Sequence, residues 1–316
     1  MNSRIDYLDV SKGILITLVV AAHIFQQTLF WKFAYSFHME AFFVISGLLI
    51  CYTASYKKSW TSILRSKTRT LMIPFLFFEL WGVLRDIVIH GVQQSWKGYL
   101  YNTISLNFNN GVLWFLFVLF FSELLFIFAL KTIHSRWAIF TISVVFLSIA
   151  VLIPSGTNYL KYLRMILQTV FFLSVGFCWK NAILKWSLPG FLLSGLLLCA
   201  LVLSFGCVEY SAVSLNNLPL FLLGAICGTY LIVQAGKNPW LHWMKVPGRE
   251  TLIIFGTHSF YYVVFGKMIG IADFRSVPFS IGLAVLVMVA VAEIPTIYLL
   301  NRFLPLFAGK RKPSLK

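Results

Sequence analysis

Charged residues are scarce in this chain of 316 residues, where Asp, Glu, Lys and Arg together make up only 11%. An ordinary soluble domain carries about 25% charged residues. Because a folded chain needs polar groups wherever it meets water, so few charges cannot cover a soluble surface. No hydrophilic stretch is long enough to form a separate soluble domain either. The composition excludes a soluble nucleotide-binding enzyme, a secreted disulfide scaffold and a disordered protein.

Cysteine is scarce as well, and its positions lack the paired spacing of a metal site. The five cysteines fall mostly inside apolar runs and are Cys51, Cys178, Cys199, Cys207 and Cys227. This pattern is typical of small buried hydrophobic residues and not of a disulfide framework or a zinc site. We therefore expect no metal ion in this protein.

Hydrophobic residues make up 59% of the chain and include 31 Phe, 13 Tyr and 10 Trp. Apolar runs long enough to cross a bilayer recur from end to end, separated by short polar or basic breaks. They predict an all-α integral membrane protein, a polytopic bundle of about ten transmembrane helices. The predicted spans cover residues 10–30, 39–56, 70–90, 111–131, 137–153, 162–180, 188–206, 217–235, 251–269 and 278–300.

Basic residues outnumber acidic ones by 26 to 10, which gives a formal net charge of +16. On a soluble protein this excess would indicate a nucleic-acid partner. If the N-terminus is cytoplasmic, however, 19 basic residues fall in cytoplasmic segments, six in outer segments and Arg85 within a span. This sorting follows the positive-inside rule. It predicts a multi-pass protein of the inner or plasma membrane with both termini cytoplasmic, and it requires no nucleic acid.

The first predicted span carries the most informative ionisable pair, Lys12 and His23. Eleven helical steps turn through about 1100°, within roughly 20° of three full turns, and rise about 16 Å. The two side chains should therefore share one helix face, with Lys12 near the cytoplasmic mouth and His23 deeper. A cation at the mouth suits a phosphate, and a histidine at depth suits general-base work on a hydroxyl. A snorkelling lysine and a structural histidine are equally compatible with these residues alone.

His38 should begin the second span from the outer side, near the level of His23. From its spacing alone, an interfacial residue and a functional residue remain equal alternatives. Ser46 and Gly47 follow in the same span. Small residues of this kind favour close packing between helices.

Two polar segments between predicted spans could bind substrates. The cytoplasmic segment 57–69 holds five cations that could cradle a phosphorylated cofactor, although the topology signal and lipid headgroups explain them too. The outer segment 91–110 interleaves amides with aromatic rings, which suits a sugar, but an interfacial aromatic belt explains the rings equally well. Its amides are Gln93, Gln94, Asn102, Asn107, Asn109 and Asn110.

Several short motifs follow one another along the chain. The first consists of a basic residue, Lys12, and a histidine, His23, with ten residues between them. The others are Arg4 to Ile14, Ser36 to Met39 with Phe42 to Gly47, Arg69 to Pro74, Leu113 to Leu116, Gly248 to Leu252 leading to His258, and Pro295 to Gly309. Together they resemble the membrane acyltransferase-3 family, most closely its branch related to fucose 4-O-acetylases. Each piece is a weak motif, but their shared order along nearly the whole chain is specific.

The resemblance implies a single transmembrane acyltransferase domain, residues 1–316, that uses cytoplasmic acetyl-CoA to acetylate hydroxyl groups. The acceptor would be a cell-surface or secreted glycan or its lipid-linked precursor, so the chain would act in polysaccharide modification. By position, His23 would be the catalytic histidine and Lys12 its basic partner on the coenzyme A side. Asp9 falls at a commonly acidic position, and His38 and His258 match recurring histidines. The expected catalytic residues are His23, Lys12, His38 and Asp9, and the expected coenzyme-binding residues are Lys12, Arg65, Lys67 and Arg69.

Two positions depart from the family pattern, because Glu40 stands where the branch usually has proline and Glu250 replaces a small amide. Direct transfer and a short-lived acyl-enzyme both remain open, as do the identity of the acceptor and the oligomeric state. The main alternative function is a transporter or flippase of lipid-linked glycans. Such a protein would often show an internal repeat or paired broken helices, and the sequence shows neither. A non-catalytic assembly protein built on the same scaffold is a third hypothesis.

Overall fold

The computed structural model describes residues 5–92, 95–154, 156–271 and 273–310. Within these residues every regular element is helical. The α-helices are α1 (Asp6–Ile24), α2 (Leu29–Tyr35), α3 (His38–Thr53), α4 (Trp60–Lys67), α5 (Ile73–His90), α6 (Trp96–Ile104), α7 (Trp114–Thr132), α8 (Arg136–Leu152), α9 (Asn158–Cys178), α10 (Lys180–Leu184), α11 (Leu188–Phe205), α12 (Leu218–Ala235), α13 (Lys245–Arg249), α14 (Thr251–Met268) and α15 (Phe279–Phe303). A π-helical turn, Thr68–Met72, joins α4 to α5. The 3-10 turns are Ser55–Lys57, Gly111–Leu113, Tyr210–Ala212, Pro239–Met244 and Phe274–Ser276.

Seven helical stretches in the described part of the chain are long and apolar enough to cross a membrane. They are Asp6–Ile24, Leu29–Thr53, Gly111–Thr132, Asn158–Cys178, Leu188–Phe205, Leu218–Ala235 and Phe279–Phe303. The remaining predicted spans coincide with the shorter apolar helix α8 and with α5 and α14, which carry more polar side chains. The helical class and several spanning helices thus agree with a polytopic membrane protein. That the chain crosses the membrane ten times stays a prediction.

Two segments that the sequence suggested as loops contain short helices. Segment 57–69 contains α4, whose first turn is capped by the Ser59 hydroxyl accepting from the Ser62 amide at 3.4 Å. Segment 91–110 contains α6, which the Ser95 hydroxyl caps in the same way. A search for long apolar runs misses such helices because they are short and partly polar. The first helix also ends earlier than predicted, since Gln27 turns the chain with a φ of 59°.

Helix α9 lies at the centre of the bundle and packs against α3, α7 and α8. The backbones of α3 and α9 nearly touch, because a β-carbon on Gly47 would overlap the Leu173 carbonyl and one on Gly176 would overlap the Val44 carbonyl. The close packing predicted at Gly47 is therefore confirmed. The outside of the bundle is formed by α11 and α15, of which only 17% and 28% are buried.

Hydrogen bonds between neighbouring segments show which segments lie together at each of the two ends of the bundle. We call the end where α1 begins and α3 finishes the basic end, and the other the opposite end. At the basic end the Tyr7 and Tyr52 hydroxyls are hydrogen-bonded at 2.8 Å, and Lys131 donates to the Lys58 carbonyl at 2.7 Å. At the opposite end Lys267 donates to the Ile89 carbonyl, and Asn158 donates to the Ser105 carbonyl at 3.2 Å. Each contact joins segments that were predicted to lie on the same side. That the basic end faces the cytoplasm stays a prediction. Both termini, residues 1–4 and 311–316, lie outside the described residues.

Candidate active site

A cavity of about 360 Å³ lies near the opposite end of the bundle. It is bordered by α1, α2, α3, α5, α7, α9 and α14 together with the turns before α7 and α12. The charged and histidine side chains in its lining are His23, His38, Glu40, Arg85, Lys161 and Glu209, and the hydroxyls are those of Tyr35, Tyr210, Ser211, Ser259 and Tyr262. Both histidines that the sequence placed at one level of the bundle therefore meet in one space.

His23 belongs to the last turn of α1 and is partly exposed, within reach of this cavity. Its ring stacks parallel to that of Tyr262, with centroids 5.9 Å apart, and meets the Tyr35 ring edge-on at 6.4 Å. No group in the described part of the chain hydrogen-bonds to the ring nitrogens of His23. A neutral imidazole held only by aromatic contacts keeps its lone pair for a bound molecule, so it can accept a proton.

His38 and His258 are both oriented by the helical turns that precede them. Nδ1 of His38 lies 2.6 Å from the Ala34 carbonyl oxygen, and Nδ1 of His258 lies 2.9 Å from the Ile254 carbonyl oxygen. Because a carbonyl only accepts, each Nδ1 carries the proton and each Nε2 carries the lone pair. The His258 ring lies 5.3 Å from that of His23, and its buried Nε2 has no partner among the described residues.

The cavity wall carries two carboxyl groups, Glu40 and Glu209, and two cations, Arg85 and Lys161. Glu40 is 1% exposed, and its Oε2 has no hydrogen-bond partner in the described chain. Arg85 uses one nitrogen to donate to the Asn109 carbonyl at 2.8 Å. Burial raises the pKa of the Tyr210 hydroxyl well above its usual range, so this group stays protonated. Such a wall offers both donors and acceptors to a polar molecule.

The rim of the cavity is fixed by a buried carboxylate, Glu79 of α5. Glu79 accepts from the backbone amides of Asn109 at 2.7 Å and Asn110 at 3.1 Å. The Asn110 side chain accepts in turn from the Ser259 hydroxyl at 2.9 Å. Asn109 and Asn110 therefore tie the loop before α7 to α5 and α14, which gives them a structural role, and the sugar contact that the sequence suggested stays a prediction.

Two of the four aromatic residues of segment 91–110 point outward, and the other two, Tyr99 and Phe108, are buried. Trp96 and Tyr101 are 70% and 69% exposed, as in an interfacial belt. Tyr99 is buried and donates to Asp86 at 2.9 Å. The predicted sugar-binding amides Gln93 and Gln94 lie outside the described residues.

Lys12 and Asp9 lie at the basic end, away from the cavity lining, in a group that we call the ion cluster. Lys12 Nζ is 2.7 Å from Asp9 Oδ1, and Arg249 Nε is 3.4 Å from Asp9 Oδ2. Asp6 completes the cluster by pairing with Lys245 at 2.7 Å and with Arg249 at 3.3 Å. Three cations thus meet two carboxylates, so the cluster holds an excess positive charge. Helix α1 runs without a break from this cluster to the cavity.

Two glycines allow the ion cluster to form. A β-carbon on Gly248 would overlap the Asp9 carbonyl, and one on Gly13 would overlap the Met244 carbonyl. Because neither glycine has a side chain, α13 lies directly against α1. This contact brings Arg249 within reach of both carboxylates.

The four cations that the sequence predicts to bind coenzyme A lie in three different places. Arg65 and Arg69 line a shallow groove at the basic end. Lys67 pairs with Glu123 of α7 at 2.8 Å, and its side chain is only 18% exposed. Lys12 lies in the ion cluster instead. The structure therefore brings two of the four expected residues together.

Sequence reasoning missed some residues and undervalued others. Arg249 and Lys245 were not expected beside Asp9, although Arg249 stands inside a matched motif. Glu40 was noted only as a departure from the family pattern, whereas its carboxyl lines the cavity. Glu250, the other departure, pairs with Lys310 at 2.7 Å. No signal in the sequence could have shown these partners, because they lie far apart along the chain.

Comparisons with known proteins give a consistent result. A family model described as an acyltransferase domain, that of the acyltransferase-3 family, matches residues 5–294. The nodulation protein NolL of Mesorhizobium japonicum is 30% identical over 202 residues, an alignment that covers 58% of this chain and 52% of that protein. The chain thus spans about half the length of this curated relative. No solved structure matches the chain significantly. Among the described residues, no group of three or more His, Cys, Asp or Glu side chains could hold a metal ion.

Proposed function

Because the chain belongs to the acyltransferase-3 family of membrane acyltransferases, we propose that it transfers an acetyl group from cytoplasmic acetyl-CoA to a hydroxyl. The acceptor is a hydroxyl of a cell-surface or secreted glycan, or of its lipid-linked precursor, and residues 1–316 act as one domain of the inner or plasma membrane. The observation that carries this proposal is the position of His23. Its unpaired imidazole stands in a polar cavity at one end of α1, while the ion cluster stands at the other.

The basic end supports the donor side of the reaction. Coenzyme A carries several phosphates, and its nucleotide should stay at the cytoplasmic surface. The ion cluster holds three cations, Lys12, Lys245 and Arg249, against two carboxylates, so one positive charge is left over. Charge-assisted bonds to phosphate are among the strong hydrogen bonds of proteins. Arg65 and Arg69 in the neighbouring groove add two further cations. The extended pantetheine arm then carries the thioester along α1 toward His23.

His23 supplies the base for the chemical step. The acceptor oxygen attacks the acetyl carbonyl while the His23 ring takes the hydroxyl proton. The new C–O bond forms, the C–S bond breaks, and the imidazolium returns its proton to the departing thiolate. The products are an O-acetyl ester and free coenzyme A. His38 and His258, each with its Nε2 lone pair available, orient the acceptor and the His23 ring.

The cavity wall supports an acceptor rich in hydroxyl groups. The carboxyl groups of Glu40 and Glu209 accept hydrogen bonds, and Arg85 and Lys161 donate them. A sugar presents both kinds of partner on every ring. The relative NolL is named as a nodulation protein, and its name by itself identifies no acceptor for this chain.

The proposal is tested with purified protein in lipid nanodiscs and acetyl-CoA labelled in the acetyl group. We would measure saturable binding and the slow release of free coenzyme A, in the wild type and in His23→Ala. His134→Ala serves as the matched control because His134 is an exposed histidine between α7 and α8. We expect His23→Ala to bind acetyl-CoA and insert at normal abundance but to release coenzyme A at least about a hundredfold more slowly. The control should behave as the wild type.

Two outcomes would count against the proposal. Unchanged release from His23→Ala would remove His23 from the catalytic role while leaving the family assignment intact. If the wild type failed to bind acetyl-CoA at any concentration, the transporter alternative would be tested next by a glycan-lipid flipping assay.

A further inference from the structure

A second, strongly apolar cleft of about 530 Å³ lies at the outside of the bundle, beside the little-buried helix α11. Helix α8 packs against α9 and α11 packs against α12, and the cleft opens between these two helix pairs. Its walls include Phe140, Phe171, Val175, Leu193 and Leu197. It shares no lining residue with the cavity of His23. A space of this composition within a bilayer suits a hydrocarbon chain.

One hydroxyl in this cleft has no hydrogen-bond partner among the described residues. Thr229 of α12 is 3% exposed and lines the cleft, yet its Oγ1 makes no hydrogen bond within the described chain. Other buried threonines satisfy theirs within the helix, as Thr169 does with the Met165 carbonyl at 2.8 Å. A buried hydroxyl without a partner is costly, so its presence points to an acceptor from a bound molecule.

A groove of about 380 Å³, lined in part by polar residues, continues the cleft at the basic end. The two spaces share Trp179 and Ala182, and the groove adds Arg136, Trp137 and Asn181. The Trp179 ring stands between them, 5.9 Å from the ring of Trp137 in the groove. Tryptophans at this level are typical of the boundary between hydrocarbon and headgroups. The combined site is therefore apolar at depth and cationic at its mouth.

We propose that the cleft and groove together bind one membrane phospholipid with an anionic headgroup. An acyl chain fills the apolar cleft, and the Thr229 hydroxyl donates to an ester carbonyl of the lipid. Arg136 and Asn181 donate to the headgroup phosphate, for which a guanidinium is suited because it presents several donors in one plane. This site is separate from the reaction at His23 and does not depend on the proposed function.

The test uses the full chain purified in detergent and native mass spectrometry. The probes are phosphatidylglycerol and phosphatidylcholine with identical acyl chains, with soluble glycerol phosphate as a competitor. Arg136→Gln removes the cation at the mouth, and Leu197→Trp fills the cleft with a bulky ring. Arg302→Gln is the matched control, because Arg302 is likewise exposed and lies 5.8 Å from a phenylalanine ring, as Arg136 does.

We expect the wild type to retain phosphatidylglycerol in preference to phosphatidylcholine. Arg136→Gln should weaken retention of phosphatidylglycerol by about fivefold, the effect of one cation near an anionic lipid surface. Leu197→Trp should lose both lipids, and Arg302→Gln should match the wild type. The proposal is overturned if both lipids are retained equally, if Leu197→Trp retains them, or if glycerol phosphate alone displaces the lipid. A dimer mass in place of lipid adducts, abolished by Leu197→Trp, would assign the cleft to a second copy of the chain.

Discussion

His23 and the two histidines near it, His38 and His258, differ in how their rings are held. His38 and His258 each use one ring nitrogen for a hydrogen bond with a backbone carbonyl, whereas the His23 ring makes ring contacts and no hydrogen bond within the described residues. A base must reach its substrate, and a ring fixed by no hydrogen bond is free to do so. His258, buried behind it at 5.3 Å, sets the position that the His23 ring can take.

Replacing His258 by alanine should therefore impair catalysis through His23. The change removes a ring that packs against His23, and a small displacement of a catalytic group costs about a hundredfold in rate. We expect release of coenzyme A to fall by that order while acetyl-CoA binding stays normal. Equal losses in binding and in rate would show that the variant is merely unfolded, which the thermal stability of the protein in nanodiscs would check.

Lys12 should act on the donor and not on the chemical step. In Lys12→Ala, acetyl-CoA binding should weaken by roughly ten- to a hundredfold, the value of a hydrogen bond to a charged group. Lys12→Arg keeps the charge beside Asp9 and should retain most of the affinity. Binding titrations of both variants measure this difference, and identical affinities in the alanine variant and the wild type would contradict the assignment.

At the scale of helices, the contact between α1 and α13 holds the ion cluster together. Gly248→Ala would drive a methyl group into the Asp9 carbonyl and separate Arg249 from its partners. Overpacking of this kind costs about 1–3 kcal/mol, so both thermal stability and acetyl-CoA affinity should fall. Gly195→Ala on α11, where a β-carbon meets nothing within 4 Å, is the control. It should leave both properties unchanged or raise stability slightly, because alanine is the better helix former.

The long helices could be predicted from the sequence because a bilayer demands long apolar runs. The short helices α4 and α6 could not, since their polar faces resemble loops in composition. Within the site, the shared level of His23 and His38 followed from the predicted order and direction of the first two spans. The closeness of His258 to His23, and of Arg249 to Asp9, depends on how distant helices pack, and no local pattern encodes that packing.

At the scale of the whole molecule, orientation in the membrane can be tested with Cys207, which lies between α11 and α12 at the opposite end. Burial raises the pKa of this thiol to about 11, with a further contribution from Glu209. Only the thiolate reacts, so labelling by an impermeant thiosulfonate should rise about a hundredfold from pH 7 to pH 9. An ordinary thiol with a pKa of about 8.5 would gain only about 25-fold.

The labelling is done on intact cells, with Cys207→Ser as the control for the other four cysteines. We expect Cys207 to react from outside, as the predicted topology requires. Reaction only after the membrane is permeabilised would reverse the orientation. The basic end would then face outward, which would remove the argument for a cytoplasmic donor.

The unbroken course of α1 has a consequence for which donors the protein accepts. The ion cluster and His23 stand about 16 Å apart on one rigid rod. A carrier anchored by its phosphates at the cluster presents its thioester to the imidazole only if its arm has the matching length. The length of the helix therefore sets the length that the arm between phosphate and thioester must have. Thioesters of thiols with a shorter arm should fail as donors even where their acyl group is the same.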